Sequence, residues 1–256
     1  FNEDFHISSA GGEPVFILLS DGLEKETSDA LTGSLSYTRE EGQEQLNASI
    51  QGFYTRLNNP FVLVNTGDQL PNGSIVEEVR NGNGAFVSGM NLEINYAPSP
   101  LLMVQSGLTL QTAQFNDEQV IYKPENGQEG ETVSSKYFLR TPETYGFVNF
   151  TLSTPNDWEF SVSNVITGPM RVPEIMQASG AVALRDSDWF LDATAKVSHH
   201  FHLGQNLHIE LNAGIQNIFN SFQSDFQTGP TRDAGYVYGP ARPRTFFFGI
   251  KLSNND

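Results

Sequence analysis

The chain has 256 residues, with 14 Lys and Arg against 30 Asp and Glu, a formal charge of −16 at pH 7. It has no cysteine, which excludes a disulfide scaffold, a thiolate metal site and a cysteine nucleophile. The acidic balance excludes nucleic acid as the expected partner, because that needs a basic face, and the 17% of charged residues lies below the roughly 25% of soluble domains.

The longest apolar run, Val15 to Leu19, falls far short of the about 20 residues a membrane helix needs. That excludes helical membrane proteins but not membrane β-barrels. The chain opens at Phe1 on a polar stretch without Met or signal peptide, and reads as a processed chain or a piece of one.

In chain order, alternation with period two predicts nine long strands: 29–38, 45–57, 85–96, 101–115, 144–153, 157–168, 188–199, 206–218 and 242–252. Met90, Leu92, Ile94 and Tyr96 alternate with Asn91, Glu93 and Asn95. Trp158, Phe160 and Val162 alternate with Glu159, Ser161 and Ser163. Leu207, Ile209, Leu211, Ala213 and Ile215 alternate with His208, Glu210, Asn212, Gly214 and Gln216, and only a strand puts these two sets on opposite faces. Most of the stretches run to the 9–11 residues of a membrane strand rather than the about 5–6 usual in soluble sheets. A β-sandwich also has one apolar face, so length and not alternation favours the barrel.

Short turns at Arg39–Glu44, Ala97–Pro100, Thr154–Asn156 and His200–Gln205 alternate with long polar segments near 58–84, 116–143, 169–187 and 219–241. Turns at one rim and long loops at the other describe an outer-membrane barrel. Tyr37, Tyr96, Trp158, Trp189, Phe201 and Phe248 are expected at strand ends, where interfacial aromatics belong. With the C-terminus at the turn rim, counting back makes the first strand descend from the loop rim, so residues 1–28 form an outer entry segment. Single-chain bacterial barrels have even strand counts, and unpaired edges cannot face lipid. An odd count therefore predicts a C-terminal part, 29–256, of a larger barrel.

His199, His200 and His202 cluster, with His208 nearby, and His200 and His202 share a strand face. Histidine pairs can bind zinc or copper, but the reading preferred from sequence is a solvated turn and no metal. Carboxylates gather in the loops at Glu77, Glu78, Asp117, Glu118, Glu125, Glu129, Glu131, Asp186, Asp188, Asp225 and Asp233. Either they are solvated or they order the loops around calcium; no other cofactor is expected. Between Tyr236 and Arg244, Gly239 and Pro240 are expected to set a turn, and Arg242 and Arg244 to pair with carboxylates inside the barrel. Phe226, Asp233, Tyr236 and Tyr238 are the candidates for ligand contact. Enzyme signatures such as a nucleophile elbow, a phosphate loop or HExxH are absent from the sequence.

Three stretches carry a family resemblance. Leu23-Glu-Lys-Glu-Thr-Ser28 precedes the first strand, Gly89-Met-Asn-Leu-Glu-Ile-Asn-Tyr96 lies in the third, and Leu211-Asn-Ala-Gly-Ile-Gln-Asn-Ile-Phe-Asn220, with Asn217 and Asn220, leads to Arg232–Thr245 and Phe246–Leu252. In series these resemble the C-terminal region of TonB-dependent outer-membrane receptors of the Bacteroidetes type. Glu24 and Lys25 depart from the family's usual Lys-Pro, and Ser253–Asp256 follow where barrels often end on an aromatic. The resemblance implies a 22-stranded barrel around an N-terminal plug that binds TonB, in the outer membrane of a Gram-negative bacterium. This chain would supply nine strands of wall and outer loops. The plug and remaining barrel would come from a second chain or from sequence outside this one, and a surface lipoprotein is a further candidate partner. The implied activity is uptake of a scarce ligand such as a ferric siderophore, haem or cobalamin, without catalysis. A stand-alone small barrel (porin or adhesin) and a soluble β-sandwich binding module are the alternatives.

Overall fold

A computed structural model describes residues 15–124, 131–203, 207–240 and 242–254. It contains fifteen strands among the described residues: β1 (Val15–Leu19), β2 (Thr27–Glu41), β3 (Glu44–Asn58), β4 (Phe61–Gln69), β5 (Ile75–Asn81), β6 (Ala85–Ser99), β7 (Leu102–Tyr122), β8 (Val133–Tyr137), β9 (Thr144–Ser153), β10 (Trp158–Thr167), β11 (Arg171–Ile175), β12 (Val182–Asp186), β13 (Phe190–Leu203), β14 (Leu207–Gln216) and β15 (Thr245–Asn254). Among the described residues no helix is long and apolar enough to cross a membrane.

Nine of these strands form one antiparallel meander, in the order β2-β3-β6-β7-β9-β10-β13-β14-β15. They are the nine alternating stretches of the sequence, paired with their chain neighbours. They form one continuous sheet, so the sandwich reading is set aside. Among the described residues its two ends, β2 and β15, pair with β3 and β14 only. Every residue of β2 is exposed, because it has a neighbour on one side and nothing across its face.

Register sorts the side chains into two faces. One carries Leu31 and Leu35, then Ile50, Met90, Leu110, Phe150, Phe160 and Phe248, all exposed. The other face is polar and hydrogen bonded to itself. Thr109 Oγ1 donates to Asn91 Oδ1 (2.9 Å), and Asn91 Nδ2 donates to Gln51 Oε1 (3.0 Å). Ser163 Oγ donates to Asn149 Oδ1 (2.6 Å). Lys196 Nζ lies 3.5 Å from Glu159 Oε1 and 3.9 Å from Glu210 Oε1. Apolar groups outside and bonded polar groups inside are what lipid and a wet lumen select.

Several aromatics break the alternation by facing the polar side, and three of them lie opposite a glycine. Phe53 pairs with Gly89, Phe147 with Gly107, and Phe247 with Gly214. A Cβ on Gly107 would stand 2.5 Å from Phe147 Cε1, and one on Gly89 would stand 2.8 Å from Phe53 Cζ. The ring thus fills the space that the missing side chain leaves, as aromatics do over strand glycines.

All short turns lie at one rim and all long connections at the other. Several boundaries differ from the sequence reading. β7 continues to Tyr122 because β8 pairs with its extension, so part of the expected loop 116–143 is sheet. β13 runs to Leu203 opposite Leu207, so His200–Leu203 are strand and not turn. Phe248 faces Ala213 in the middle of β15 and not at its end. Trp158 and Phe201 do meet the expectation, flanking His199 at 4.4 Å each near the turn rim.

The loop rim has sheets of its own. β1 runs parallel to β5, and β5 pairs with β4. The expected entry segment 1–28 therefore contains a strand, and β2 starts at Thr27; residues 1–14 lie outside the described residues. Asn81 secures the segment, donating to Glu24 O and Asn59 O (2.9 Å each) and accepting from Glu24 N (2.6 Å). β11 and β12 form a hairpin between β10 and β13.

Candidate functional site

The segment between β14 and β15 is the longest connection, and it folds back over the polar face. Its start is fixed by Asn217, which is 2% exposed and has φ 49°. Asn217 Nδ2 donates to Ser221 O (3.1 Å) and Arg242 O (2.8 Å), while its Oδ1 accepts from Ser221 N (2.7 Å). One side chain thus joins both ends of the loop. Asn220 Oδ1 takes the Arg244 amide at 3.0 Å. Asparagine suits both positions, since it tolerates positive φ and bonds the local backbone. The guanidinium groups of Arg242 and Arg244 form no ion pair among the described residues. Their main chain holds the loop. Pro240 lies on the wall of the cleft described below.

Within the loop, Asp225 receives two phenols. Tyr236 Oη donates to Oδ2 and Tyr238 Oη to Oδ1, each at 2.7 Å. Gln223, 2% exposed, closes the unit: Nε2 donates to Tyr236 O (3.0 Å) and Oε1 accepts from Tyr238 N (2.9 Å). Burial pushes the Asp225 carboxyl up, but its hydrogen bonds from Tyr236, Tyr238 and Gln223 outweigh that and hold it below the ordinary range. Burial, and then the bond to Asp225, push both tyrosines above theirs.

Other connections lock onto this unit. Arg140 Nη1 and Nη2 donate to Val237 O and Gly235 O, each at 2.5 Å. Asp233 Oδ2 accepts from Ile175 N (2.9 Å) and Oδ1 from Gly235 N (2.8 Å). Gln227 Nε2 donates to Glu174 Oε1 (3.0 Å) and Ile175 O (2.9 Å), and Gln177 Nε2 to Thr228 O (2.9 Å). Glu174 in turn pairs with Arg185 across the β11–β12 hairpin.

Under the loop lies a cleft of about 420 Å³, lined by Arg140, Val165, Met170, Phe190, Asp192, Tyr238 and Pro240 among others. Gly239 rests on Phe190, and a Cβ there would stand 2.6 Å from Phe190 Cζ. The wall is largely apolar and aromatic. Asp192 Oδ1 is buried in that wall without a hydrogen-bond partner among the described residues.

Of the four sequence candidates for ligand contact, Tyr238 lines the cleft, Tyr236 is 2% exposed inside the loop, Asp233 caps the loop backbone, and Phe226 is exposed. Sequence reasoning missed Gln223, Arg140, Phe190 and Asp192. Phe190 and Asp192 stood in a recognised alternation, but nothing in it marked which strand end the loop would cover. Gln223 has no local signal. Among the described residues no three His, Asp or Glu side chains converge as metal ligands; Glu125 and Glu129 lie outside them.

No protein-family model and no curated protein matches the chain. Its fold is shared with solved receptors. It aligns with the ferric-catecholate import receptor Fiu of E. coli K12 at 19% identity and TM-score 0.55, over 89% of this chain and 28% of that one. For a mutant of the ferric enterobactin receptor PfeA of Pseudomonas aeruginosa the values are 17% and 0.59, over 93% and 32%. For the copper transporter OprC they are 15% and 0.61, over 92% and 32%. The chain spans about three tenths of the length of these receptors.

Proposed function

We propose that the chain is the wall and outer-loop portion of an outer-membrane importer that works with TonB. Its fold is that of part of a TonB-dependent receptor barrel, and the solved proteins that share it are receptors and transporters. The carrying observation is the nine-strand antiparallel sheet, apolar on one face and bonded on the other, with every long connection gathered at one rim. Open edges at β2 and β15 call for companion strands, since unpaired backbone cannot face lipid. Those strands would bring the plug and the TonB-binding segment. A surface lipoprotein resting on the loops is a further proposed partner.

The ligand class is a scarce solute such as a ferric siderophore, haem or cobalamin. It would engage the loop rim, with the cleft at Phe190 and Tyr238 taking an apolar or aromatic part and Asp192 a donor group. The neighbours carry iron or copper ligands, so the fold alone leaves the choice to the cleft.

The test expresses the chain with its companion strands in outer membranes and follows uptake of a ferric catecholate, haem and cobalamin with and without TonB. Accumulation of one of them that needs TonB and falls with Phe190→Ala supports the reading. A protein that stays soluble without detergent, or uptake indifferent to TonB, defeats it.

A further inference from the structure

A second site lies at the opposite rim, away from the loop cluster. His202 and His208 are direct partners across β13 and β14, both on the polar face. Their Nδ1 atoms are 2.7 Å apart, with ring centroids 4.8 Å apart and planes at 84°. One ring therefore donates Nδ1–H and the other accepts. Asp157 Oδ1 lies 3.5 Å from His202 Nε2, on the outer side of that ring. Asp157 is itself fixed: it sits at φ 62° in the β9–β10 turn, and its carbonyl accepts from His200 N at 3.0 Å. Three elements thus converge on one imidazole pair.

We propose that His202 and His208 form a two-histidine site for a divalent transition-metal ion, with Asp157 as positioning residue and water completing the coordination. Two nitrogens each about 2.0 Å from a metal and at a right angle to each other are about 2.8 Å apart, the cis arrangement of tetragonal copper or nickel. The observed separation needs almost no change; the His208 ring must turn so that both lone pairs converge. As the metal enters, the proton held between the two Nδ1 atoms leaves that position, to an outer ring nitrogen or, where that already carries one, to water. A carboxylate on the outer nitrogen of a ligating histidine is the usual support for such a ligand. His202 and Asp157 side chains are 53% and 50% exposed, so the ion keeps its waters and pays little desolvation. Sequence reasoning weighed His200 with His202, two residues apart on one strand. The register shows that the partner is across the hairpin. The inference does not depend on what the loop rim binds.

The experiment uses the full barrel with its companion strands in detergent, titrated with Cu(II) alone. Electron paramagnetic resonance is expected to show one tightly held copper with two equivalent nitrogens. His202→Gln or His208→Gln lowers the affinity at least tenfold and removes one nitrogen. Asp157→Asn lowers it about tenfold and keeps both, as for other outer partners of metal ligands. His199→Gln, on the apolar face, changes nothing. A copper spectrum with one nitrogen or none in the unmutated protein overturns the proposal, and so does affinity unchanged in His208→Gln while the barrel still migrates as folded without boiling.

Discussion

Tyr238 and Asp225 are joined by a 2.7 Å hydrogen bond from the phenol to Oδ1, while Tyr236 holds the other oxygen of the same carboxylate. The bond ties the wall of the cleft to the body of the loop. Losing one hydrogen bond to an ionised group costs about 1.5–3 kcal/mol when buried, and partial exposure of Asp225 brings that to about 1 kcal/mol. Tyr238→Phe should therefore speed amide hydrogen exchange at residues 236–238 about fivefold. Exchange that matches the parent protein would show that the loop is held elsewhere.

The same carboxylate gives a pH dependence. Its value in the folded loop is depressed, so folding favours the charged form. That contribution is present above the ordinary aspartate range near 3.9 and is lost as pH falls through the lower folded value. Both tyrosines are shifted up, so the lock also survives to beyond the ordinary tyrosine range near 10. Limited proteolysis of the loop should stay constant between about pH 5 and 9 and rise below about pH 4. Asp225→Asn should flatten the acid limb, and an unflattened limb would assign the transition to another group.

Glycine–aromatic pairs differ in how they can be relieved. At Gly107 the three atoms nearest the new Cβ all belong to the Phe147 ring, which can move. At Gly214 it would meet Phe247 and also Ala195 O, which is backbone. Each alanine substitution should cost about 1–3 kcal/mol, the usual range for overpacking. Phe147→Leu should restore Gly107→Ala, whereas Phe247→Leu should leave Gly214→Ala destabilised. Unfolding midpoints of the four variants and their parent, measured in detergent, decide this.

These residues also show what a sequence makes legible here. The nine wall strands were readable because each carries its own period-two signal, independent of its partners. Phe53, Phe147 and Phe247 were not, since their reason is a glycine on the next strand. β1 was missed as a strand because its partner, β5, lies some 60 residues further on and pairs parallel. Gln223 and Arg140 act through backbone carbonyls and amides that only the folded loops bring near. Asn217 stood out within its motif, but its role, joining Ser221 to Arg242, depends on a closure of 25 residues.

The two faces of the sheet make opposite predictions for one substitution type. Val162 is exposed on the apolar face, and its chain neighbour Ser161 is on the polar face. Arginine at the lipid face near mid-depth costs about 2–4 kcal/mol, because the charge must reach water or thin the bilayer. Val162→Arg should lower the folding free energy in vesicles by about that amount. Ser161→Arg should change it by only about 1 kcal/mol, since it would stand opposite Lys196 but near Glu159, two residues along on the same wet face. Equal costs at the two positions would mean that both faces meet the same solvent, and the membrane reading of the sheet would fail.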